Sequence, residues 1–261
     1  MANYVLENVD EAARLEFQST LPMYDLNLEF DLFNAKSGAR ILDAGCGSGT
    51  VSRFLASRLG HVRIDAFDAS DVRLTFAKNL AKDEGYDNIH FFRSEIESIE
   101  SADETYDAVV CRFVWEHLRD PAMAAREFFR VLKKGGVAYI IDLDGMLFNY
   151  YSSNAELNQL LETLRKSWHS DLFVGRKIPT FLKESGFSRI KWRIDTMQFH
   201  GDDRIKELQL TKQRLDFIHE KLVEIFGSET TAKRFIALYC SELIQEETTL
   251  FYNKFIVSAK K

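Results

Sequence analysis

The residues best placed to do chemistry lie in segment 41–50, whose sequence is ILDAGCGSGT. An apolar pair runs into Asp43, and Gly45, Gly47 and Gly49 then alternate before apolar residues recur at helical spacing. Glycine permits positive φ and close approach to the backbone, and a helix that starts after such a turn presents unpaired N–H groups. The pattern therefore predicts a strand, a turn and a helix that together form a ligand site.

The details of this turn narrow the ligand. A dinucleotide fingerprint would place its third glycine at position 50, where this chain has Thr50, and the Gly-Lys-Ser/Thr ending of a phosphate-binding loop is absent. Asp43, at the carboxyl end of the predicted strand, would repel a pyrophosphate and attract a cation. We therefore expect a ligand that carries positive charge.

A second acid indicates a ribose. The predicted strand 62–67 runs into Asp68, which follows Gly49 by 19 residues, near the spacing at which an acid after the second strand binds ribose hydroxyls. An adenosyl group with a sulfonium and an ammonium satisfies both demands.

At this point the chain resembles the class I S-adenosylmethionine-dependent methyltransferases, whose first motif matches residues 42–49 position by position. Three further segments are similar to family motifs in the family's order. They are 94–97, 112–118 after the predicted strand 106–111, and 132–136 before the fifth strand. The resemblance implies a methyltransferase that uses S-adenosyl-L-methionine and releases S-adenosyl-L-homocysteine.

The resemblance also implies a role for each acid in cofactor binding. Asp43 would face the methionine ammonium, Asp68 the ribose and Glu95 the adenine amino group. The alternatives are a helix N-cap or surface acid for Asp68 and a solvated loop acid for Glu95. The other implied cofactor contacts are Gly45, Cys46, Gly47, Gly49, Ala69, Ile96, Arg112 and Phe113.

The N-terminal residues resemble the lid of a subset of small-molecule methyltransferases. Tyr4, Arg14 and Gln18 belong to this pattern, and an arginine there would meet the cofactor carboxylate. The alternative is a solvated helix face with an anchoring tyrosine.

Two residues of the motif after the fourth strand are candidate general bases. An ordinary histidine pKa near 6.5 would let His117 remove a proton from a hydroxyl or amine, and Glu116 is the second candidate. The alternative for both is a structural role. Methyl transfer needs little further help, because the sulfonium is already activated and alignment supplies much of the acceleration.

The acceptor pocket should be apolar with a few polar groups. Arg176 is a candidate for binding an acidic substrate or, alternatively, for pairing with a surface acid. We expect two or three of the aromatic and histidine candidates to contact the acceptor, and ordinary core packing explains the others. These candidates are Tyr150, Tyr151, Trp168, Phe173, Phe199 and His200.

Composition excludes several classes of function. The net charge is −6, and no cluster of lysine and arginine is long enough to follow a phosphate backbone, so nucleic acid is not expected as a partner. The absence of a long apolar run or a signal peptide predicts a cytoplasmic protein without a membrane partner. The three cysteines lack zinc spacing, and no metal is predicted.

Strands and helices alternate over residues 39–145, which predicts the cofactor-binding core of an α/β fold. The expected architecture is a doubly wound, mostly parallel seven-stranded sheet with helices on both faces. Residues 1–38 form a helical N-terminal extension, with helix expected over 9–34 and Pro22 interrupting it or starting a new segment. Residues 146–261 complete the sheet and add helical cap insertions at 146–180 and 201–248, within one structural domain.

The apolar stripes of the second insertion leave three alternatives: docking on the sheet, closing a cap, or pairing two subunits in a homodimer. The sequence favours transfer of a methyl group to an O, N or C nucleophile of a small organic acceptor. The alternatives are a protein or peptide methyltransferase, and a scaffold that binds the cofactor without catalysis.

Overall fold

The computed structural model describes residues 9–261, with side chains from Ala12 onward, so the predicted lid residue Tyr4 lies outside the described residues. Seven strands lie within this range. They are β1 (Arg40–Ala44), β2 (Arg63–Asp68), β3 (Ile89–Arg93), β4 (Tyr106–Arg112), β5 (Leu132–Asp144), β6 (Ser188–Phe199) and β7 (Leu250–Lys260).

The strands form one sheet in the order β3-β2-β1-β4-β5-β7-β6. β1 to β5 are parallel to one another, and β7 is antiparallel to both β5 and β6. The strand order reverses between β1 and β4, which is where ligands bind in open α/β sheets. The predicted doubly wound, mostly parallel seven-stranded sheet is therefore confirmed.

Helices cover both faces of the sheet, and further helices lie beyond the carboxyl end of β5. They are α1 (Val9–Ser19), α2 (Leu26–Glu29), α3 (Thr50–Leu59), α4 (Asp71–Asp83), α5 (Pro121–Val131), α6 (Ala155–Ser167), α7 (Ile178–Glu184), α8 (Gly201–Phe217), α9 (His219–Phe226) and α10 (Glu229–Leu243). The side chains of α5 and α7 build the core on one face, and those of α3 and α4 build it on the other.

The helical region expected over 9–34 is divided at Pro22, as predicted: α1 ends at Ser19, and Pro22 begins a separate short turn before α2. In the second insertion, the apolar stripe of residues 204–226 lies on two helices that meet at Ile218 rather than on one. β5 also starts at Leu132 rather than at 136, because its first residues already pair with β4 through an irregular register.

A third apolar cluster, which we call the cap, lies beyond the carboxyl ends of β5 and β6 and the amino end of β7. Its buried members come from α6, α8, α9 and α10, from Tyr24, from the segment after β5, and from the adjoining ends of these three strands. The apolar stripes of the second insertion therefore pack in this cap. No described helix is long and apolar enough to cross a membrane.

Candidate active site

The glycine turn lies between β1 and α3, as predicted, and is tied to β2. The N–H groups of Gly45 and Cys46 both donate to the carbonyl of Phe67, at 2.9 and 2.8 Å. Gly45 has φ of 75°, and a Cβ on it would lie 2.6 Å from Val114. The turn therefore requires glycine on both conformational and steric grounds.

Asp43 lies beneath this turn and is buried, with 1% of its surface exposed. Its carboxylate accepts a hydrogen bond of 2.6 Å from the Ser52 hydroxyl. Burial, reinforced by the nearby charge of Asp68, raises the pKa of Asp43 to about 7. A carboxylate in this state gains stability from a cationic ligand, as the sequence predicted.

Asp68 ends β2 and accepts two backbone hydrogen bonds, 2.9 Å from Gly47 and 3.0 Å from Ser70. Each carboxylate oxygen keeps a second lone pair for a ligand hydroxyl. The capping alternative is weakened, because the Ser70 hydroxyl itself accepts from the Arg73 N–H at the start of α4. Asp68 therefore links the glycine turn to the start of α4.

The residues expected around the adenine lie after β3 and β2. Glu95 is exposed, and its carboxylate has no hydrogen-bonding or charged partner among the residues that the structure describes. Ile96 beside it is buried, and Ala69 is half-buried. The exposed carboxylate next to an apolar side chain suits an adenine with an amino group, and the contact stays a prediction.

α1 covers the glycine turn from outside the sheet. Glu16 binds Arg53 of α3 at 2.5 Å and accepts a 2.9 Å hydrogen bond from Thr50. A Cβ on Gly47 would lie 3.3 Å from the Leu15 side chain. α1 is therefore positioned as a lid over the turn.

Two of the predicted lid residues lie on α1 and are buried. Arg14 donates to the Gln18 side chain at 2.9 Å. Their predicted contact with the cofactor carboxylate stays a prediction.

Arg112, predicted to contact the cofactor, is bound to a residue that the sequence did not single out. Its guanidinium forms two hydrogen bonds with the buried carboxylate of Glu29, at 2.5 and 3.1 Å. Lys254 of β7 also binds Glu29, at 2.8 Å. Phe113 packs against Arg112, with 4.2 Å from the guanidinium carbon to the ring centre. Arg112 therefore holds α2 against the ends of β4 and β7.

Phe113 has φ of 57°, in the left-handed region that side chains other than glycine rarely adopt. Such strain persists where the surrounding structure fixes it, and it occurs often at functional sites. The N–H of Phe113 donates to Ile141 in β5 at 2.8 Å. The strained residue therefore lies at the carboxyl end of β4, beside the cofactor motif.

The two candidate bases follow in a short 3₁₀ turn. Glu116 is buried, and its Oε2 has no hydrogen-bond partner in the part of the chain that the structure describes. Burial raises the pKa of Glu116 to about 7, against the opposing charges of Arg214 and Arg14. Burial also lowers the pKa of His117 to about 3, assisted by nearby cations. Glu116 is therefore the stronger base in this environment, whereas the sequence had named His117 first.

Asp142 in β5 supports this turn and was missed by sequence reasoning. Its Oδ2 accepts from the N–H groups of Val114 and Trp115, at 3.0 and 2.7 Å. Burial and the nearby Glu116 raise the pKa of Asp142. The signal was present in the sequence, because Asp142 and Asp144 interrupt an apolar strand at its carboxyl end.

The predicted acceptor residues have varied surroundings. The Tyr150 hydroxyl and the Trp168 indole nitrogen are buried without hydrogen-bond partners among the described residues. Phe199 is buried in the cap, with its ring centre 5.0 Å from that of Tyr252. Arg176 pairs with Asp144 at 2.5 Å, so it takes the ion-pairing alternative, although its partner is buried.

The remaining aromatic and histidine candidates are less enclosed. Tyr151 is 76% exposed, and His200 is also exposed. Phe173 packs on Phe148, with ring centres 5.3 Å apart. Contact of any of these residues with an acceptor stays a prediction.

A larger buried polar network inside the cap joins α8 to β7 and to Tyr24, and sequence reasoning also missed it. Glu207 accepts from Arg214 at 2.7 Å and from the hydroxyl of Tyr252 at 3.1 Å. Tyr24 contributes a longer hydrogen bond of 3.4 Å. In the sequence, Glu207 and Arg214 occupy an amphipathic helix on which charged residues are ordinarily solvated, so no local signal marked them.

Comparison with known proteins agrees with this geometry. Residues 41–136 match the methyltransferase domain family. The chain is 29% identical over 122 residues to the methyltransferase YcgJ of Bacillus subtilis, with 45% of this chain and 46% of the relative covered. It is 29% identical over 157 residues to a ubiquinone biosynthesis O-methyltransferase of Aliivibrio fischeri, with 59% and 66% covered. These matches span about half to two thirds of the relatives' length.

Solved structures share the fold over most of the chain. The structure of B. subtilis YcgJ superposes with a TM-score of 0.61 at 17% identity, covering 90% of this chain and 97% of that one. A phosphoethanolamine N-methyltransferase 2 of Haemonchus contortus, solved with phosphomonomethylethanolamine and S-adenosylhomocysteine, gives 0.62 at 19% identity, with 97% and 58% covered.

Residues 41–136 therefore form a methyltransferase domain of the class I, S-adenosylmethionine-dependent kind. The cofactor of this family is S-adenosyl-L-methionine, and its product is S-adenosyl-L-homocysteine. The residues present fit this cofactor: Asp43 is a buried acid beside a bare glycine turn, and Glu95 is an unpartnered carboxylate beyond β3. No group of side chains suited to hold a metal ion occurs among the described residues.

Proposed function

We propose that the protein transfers the methyl group of S-adenosyl-L-methionine to a nucleophilic O, N or C atom of a small organic acceptor, with Glu116 as the base. The observation that carries this proposal is the buried carboxylate of Glu116, whose Oε2 has no hydrogen-bond partner within residues 9–261. A buried polar atom without a partner is costly, and an acceptor hydroxyl or amine would satisfy it.

The position of Glu116 supports this role. It follows the strained Phe113 by three residues and lies at the carboxyl end of β4, where the sheet order reverses. The Ser170 hydroxyl donates to the Glu116 carbonyl at 2.6 Å, and Asp142 holds the two preceding N–H groups. The backbone of Glu116 is therefore fixed from two sides, as a group that must be aligned with a substrate requires.

The division of labour follows from these placements. The bound cofactor supplies an electrophilic methyl group. Asp43 and Asp68 orient the cofactor, α1 and the cap exclude water, and Glu116 takes the proton that the nucleophile loses. A carboxylate with a raised pKa is a stronger base than an ordinary one and is still substantially ionised near neutral pH.

Two features support a small acceptor. The cap encloses the region beyond β5 with buried apolar side chains from four helices, which suits an enclosed pocket better than an open groove. The names of two similar proteins also refer to small acceptors: one is an O-methyltransferase of ubiquinone biosynthesis, and the other is a phosphoethanolamine N-methyltransferase. A partner such as nucleic acid or a membrane is not part of the proposal.

Substitution of Glu116 tests the proposal in a methyl-transfer screen over phenols, carboxylic acids and amines with labelled cofactor. We expect Glu116→Gln to lower kcat by roughly 10²-fold or more, since a general base contributes about that much. Its dissociation constant for S-adenosylhomocysteine should stay unchanged. Wild-type kcat/KM for the acceptor, at saturating cofactor, should rise with pH towards a plateau above about 7, because Glu116 must be ionised to accept the proton.

Glu162→Gln is the matched control, because Glu162 is a surface acid paired with Arg165. It should leave both turnover and affinity unaltered. Full activity of Glu116→Gln on an identified acceptor would remove Glu116 from the mechanism. Tight cofactor binding by the wild type without turnover on any acceptor would favour a scaffold over an enzyme.

A further inference from the structure

β6 is the outermost strand of the sheet and pairs only with β7 among the described residues. Its 12 residues leave a long row of backbone groups on the outer side. Such an edge can pair with another strand unless it is protected. One protection is present, since the register shifts between Ser188 and Lys191 and Arg189 has φ of 49°. The regular part of the edge therefore begins at Lys191.

Large apolar side chains are concentrated at this edge. Trp192 is 58% exposed and Ile194 is 43% exposed, and both lie on one face of β6. On the other face, Leu28 of α2 is 62% exposed and Leu32 is 74% exposed. These four belong to the nine large hydrophobic side chains exposed by the described part of the chain. Exposed apolar groups on both faces of one edge indicate a surface that is covered by a partner.

We propose that β6 pairs antiparallel with β6 of a second copy of this chain, about a two-fold axis at Arg193. In such a two-fold pairing, the β6 edges of the two copies run in opposite directions. The residues before the axis in one copy must therefore be complementary to the residues after the axis in the other. The sequence around Arg193 meets this requirement. Trp192 faces Ile194 of the second copy, and Lys191 faces Asp195 of the second copy. Each pair occurs twice, once on either side of the axis.

Neighbouring registers are less complementary. An axis at Trp192 would place Lys191 opposite Arg193, which sets like charges together. An axis at Ile194 would place Arg193 opposite Asp195, but these two residues already interact within each chain. It would also place Lys191 opposite Met197 and Trp192 opposite Thr196, so Lys191 and Trp192 would lose their matched partners. The pattern of charge and apolar residues therefore selects the axis at Arg193.

The two arginines at the axis are neutralised within their own chains. Arg193 binds Asp31 at 2.7 Å and lies 3.4 Å from Asp195. It also donates to the carbonyl of Leu28. These contacts place α2 and the residues after it beside the axis, so Leu28 and Leu32 of the two copies extend the apolar contact beyond the paired strands.

The test is the mass of the full chain in solution, measured by sedimentation velocity over a dilution series. We expect the wild type to sediment with twice the chain mass of 30.2 kDa. Lys191→Asp places two acids opposite each other on both sides of the axis and should raise the dimer dissociation constant about tenfold or more. The double change Lys191→Asp with Asp195→Lys restores opposite charges and should restore the dimer.

Two further variants complete the design. Lys78→Asp on the exposed side of α4 is the matched charge reversal and should leave the dimer intact. Leu32→Glu should weaken the dimer without a change of strand register. A wild type that stays monomeric, or a Lys191→Asp variant that dimerises as tightly as the wild type, would overturn the proposal. Failure of the double variant to recover while it remains folded would overturn the register. None of these outcomes depends on methyl transfer.

Discussion

At the scale of single residues, the site is defined by carboxylates in unlike surroundings. Asp43 and Glu116 are both buried with raised pKa values, whereas Glu95 is exposed. Burial disfavours an isolated negative charge, so a buried carboxylate is stabilised by a bound cation or by a proton that it takes up. These differences assign Asp43 to the cofactor ammonium and Glu116 to the acceptor proton.

Asp43 should make cofactor binding depend on pH. Its pKa of about 7 in the free protein means that it is largely protonated in mild acid, and the ionised form attracts the ammonium. Affinity for S-adenosylhomocysteine should therefore rise as pH increases through 7, with the dissociation constant growing about tenfold for each unit below it. Calorimetric titrations between about pH 5.5 and pH 8 in matched buffers measure this.

The Asp43→Asn variant should bind more weakly and lose this pH dependence. Asp83→Asn on the exposed end of α4 is the control and should keep the wild-type profile. A wild-type affinity that is flat across the range would show that Asp43 does not pair with the ammonium.

At the scale of elements, α2 is attached to the sheet by one buried carboxylate. Glu29 is fully buried and is held between Arg112 of β4 and Lys254 of β7. Burial alone would raise the pKa of Glu29, but the two cations hold it below its usual value. The network therefore joins the segment between α1 and β1 to the carboxyl end of β4 and to the amino-terminal half of β7.

Removal of this carboxylate should destabilise the fold. Glu29→Gln leaves two buried cations without their counter-charge, and we expect a loss of about 3 kcal/mol in the free energy of unfolding. Because the pKa of Glu29 is lowered in the folded state, its contribution is present at neutral pH and is lost as pH falls below the usual value of 4.5. Urea denaturation at neutral and acidic pH measures both effects.

The surface pair of Glu156 with Arg234 offers the matched comparison for this measurement. Glu156→Gln should leave the unfolding midpoint where it is. Equal stability of Glu29→Gln and the wild type at neutral pH would show that the network contributes nothing to folding.

At the scale of the whole molecule, the strands of the sheet could be predicted from the sequence, but the packing of the cap could not. β2 and β4 lie within one residue of where hydrophobic patterning placed them, because parallel strands buried on both faces are nearly continuous apolar runs. The break between α8 and α9 at Ile218 was not predicted, because the apolar stripe continues across it. Buried polar pairs such as Glu207 with Arg214 depend on which helices meet, and local patterning does not encode that.

The residues of the cofactor site could likewise be predicted from the sequence, because local patterning is sufficient to place them. Asp43, Asp68 and the three glycines lie in short segments whose geometry follows from a strand, a turn and a helix. The contacts of Arg112 with Glu29 and of Arg176 with Asp144 join residues 83 and 32 positions apart, so the sequence could name the arginines but not their partners.

The most direct measurement of the central claim is a calorimetric titration of S-adenosylhomocysteine into the full chain and into its Asp68→Ala variant. The wild type should bind one molecule per chain. The variant should bind more weakly by roughly 1 to 3 kcal/mol, because charge-assisted hydrogen bonds to the ribose are lost. Absence of saturable binding by the wild type, or equal affinity in the variant, would contradict the assignment of the cofactor site to the carboxyl ends of β1 and β2.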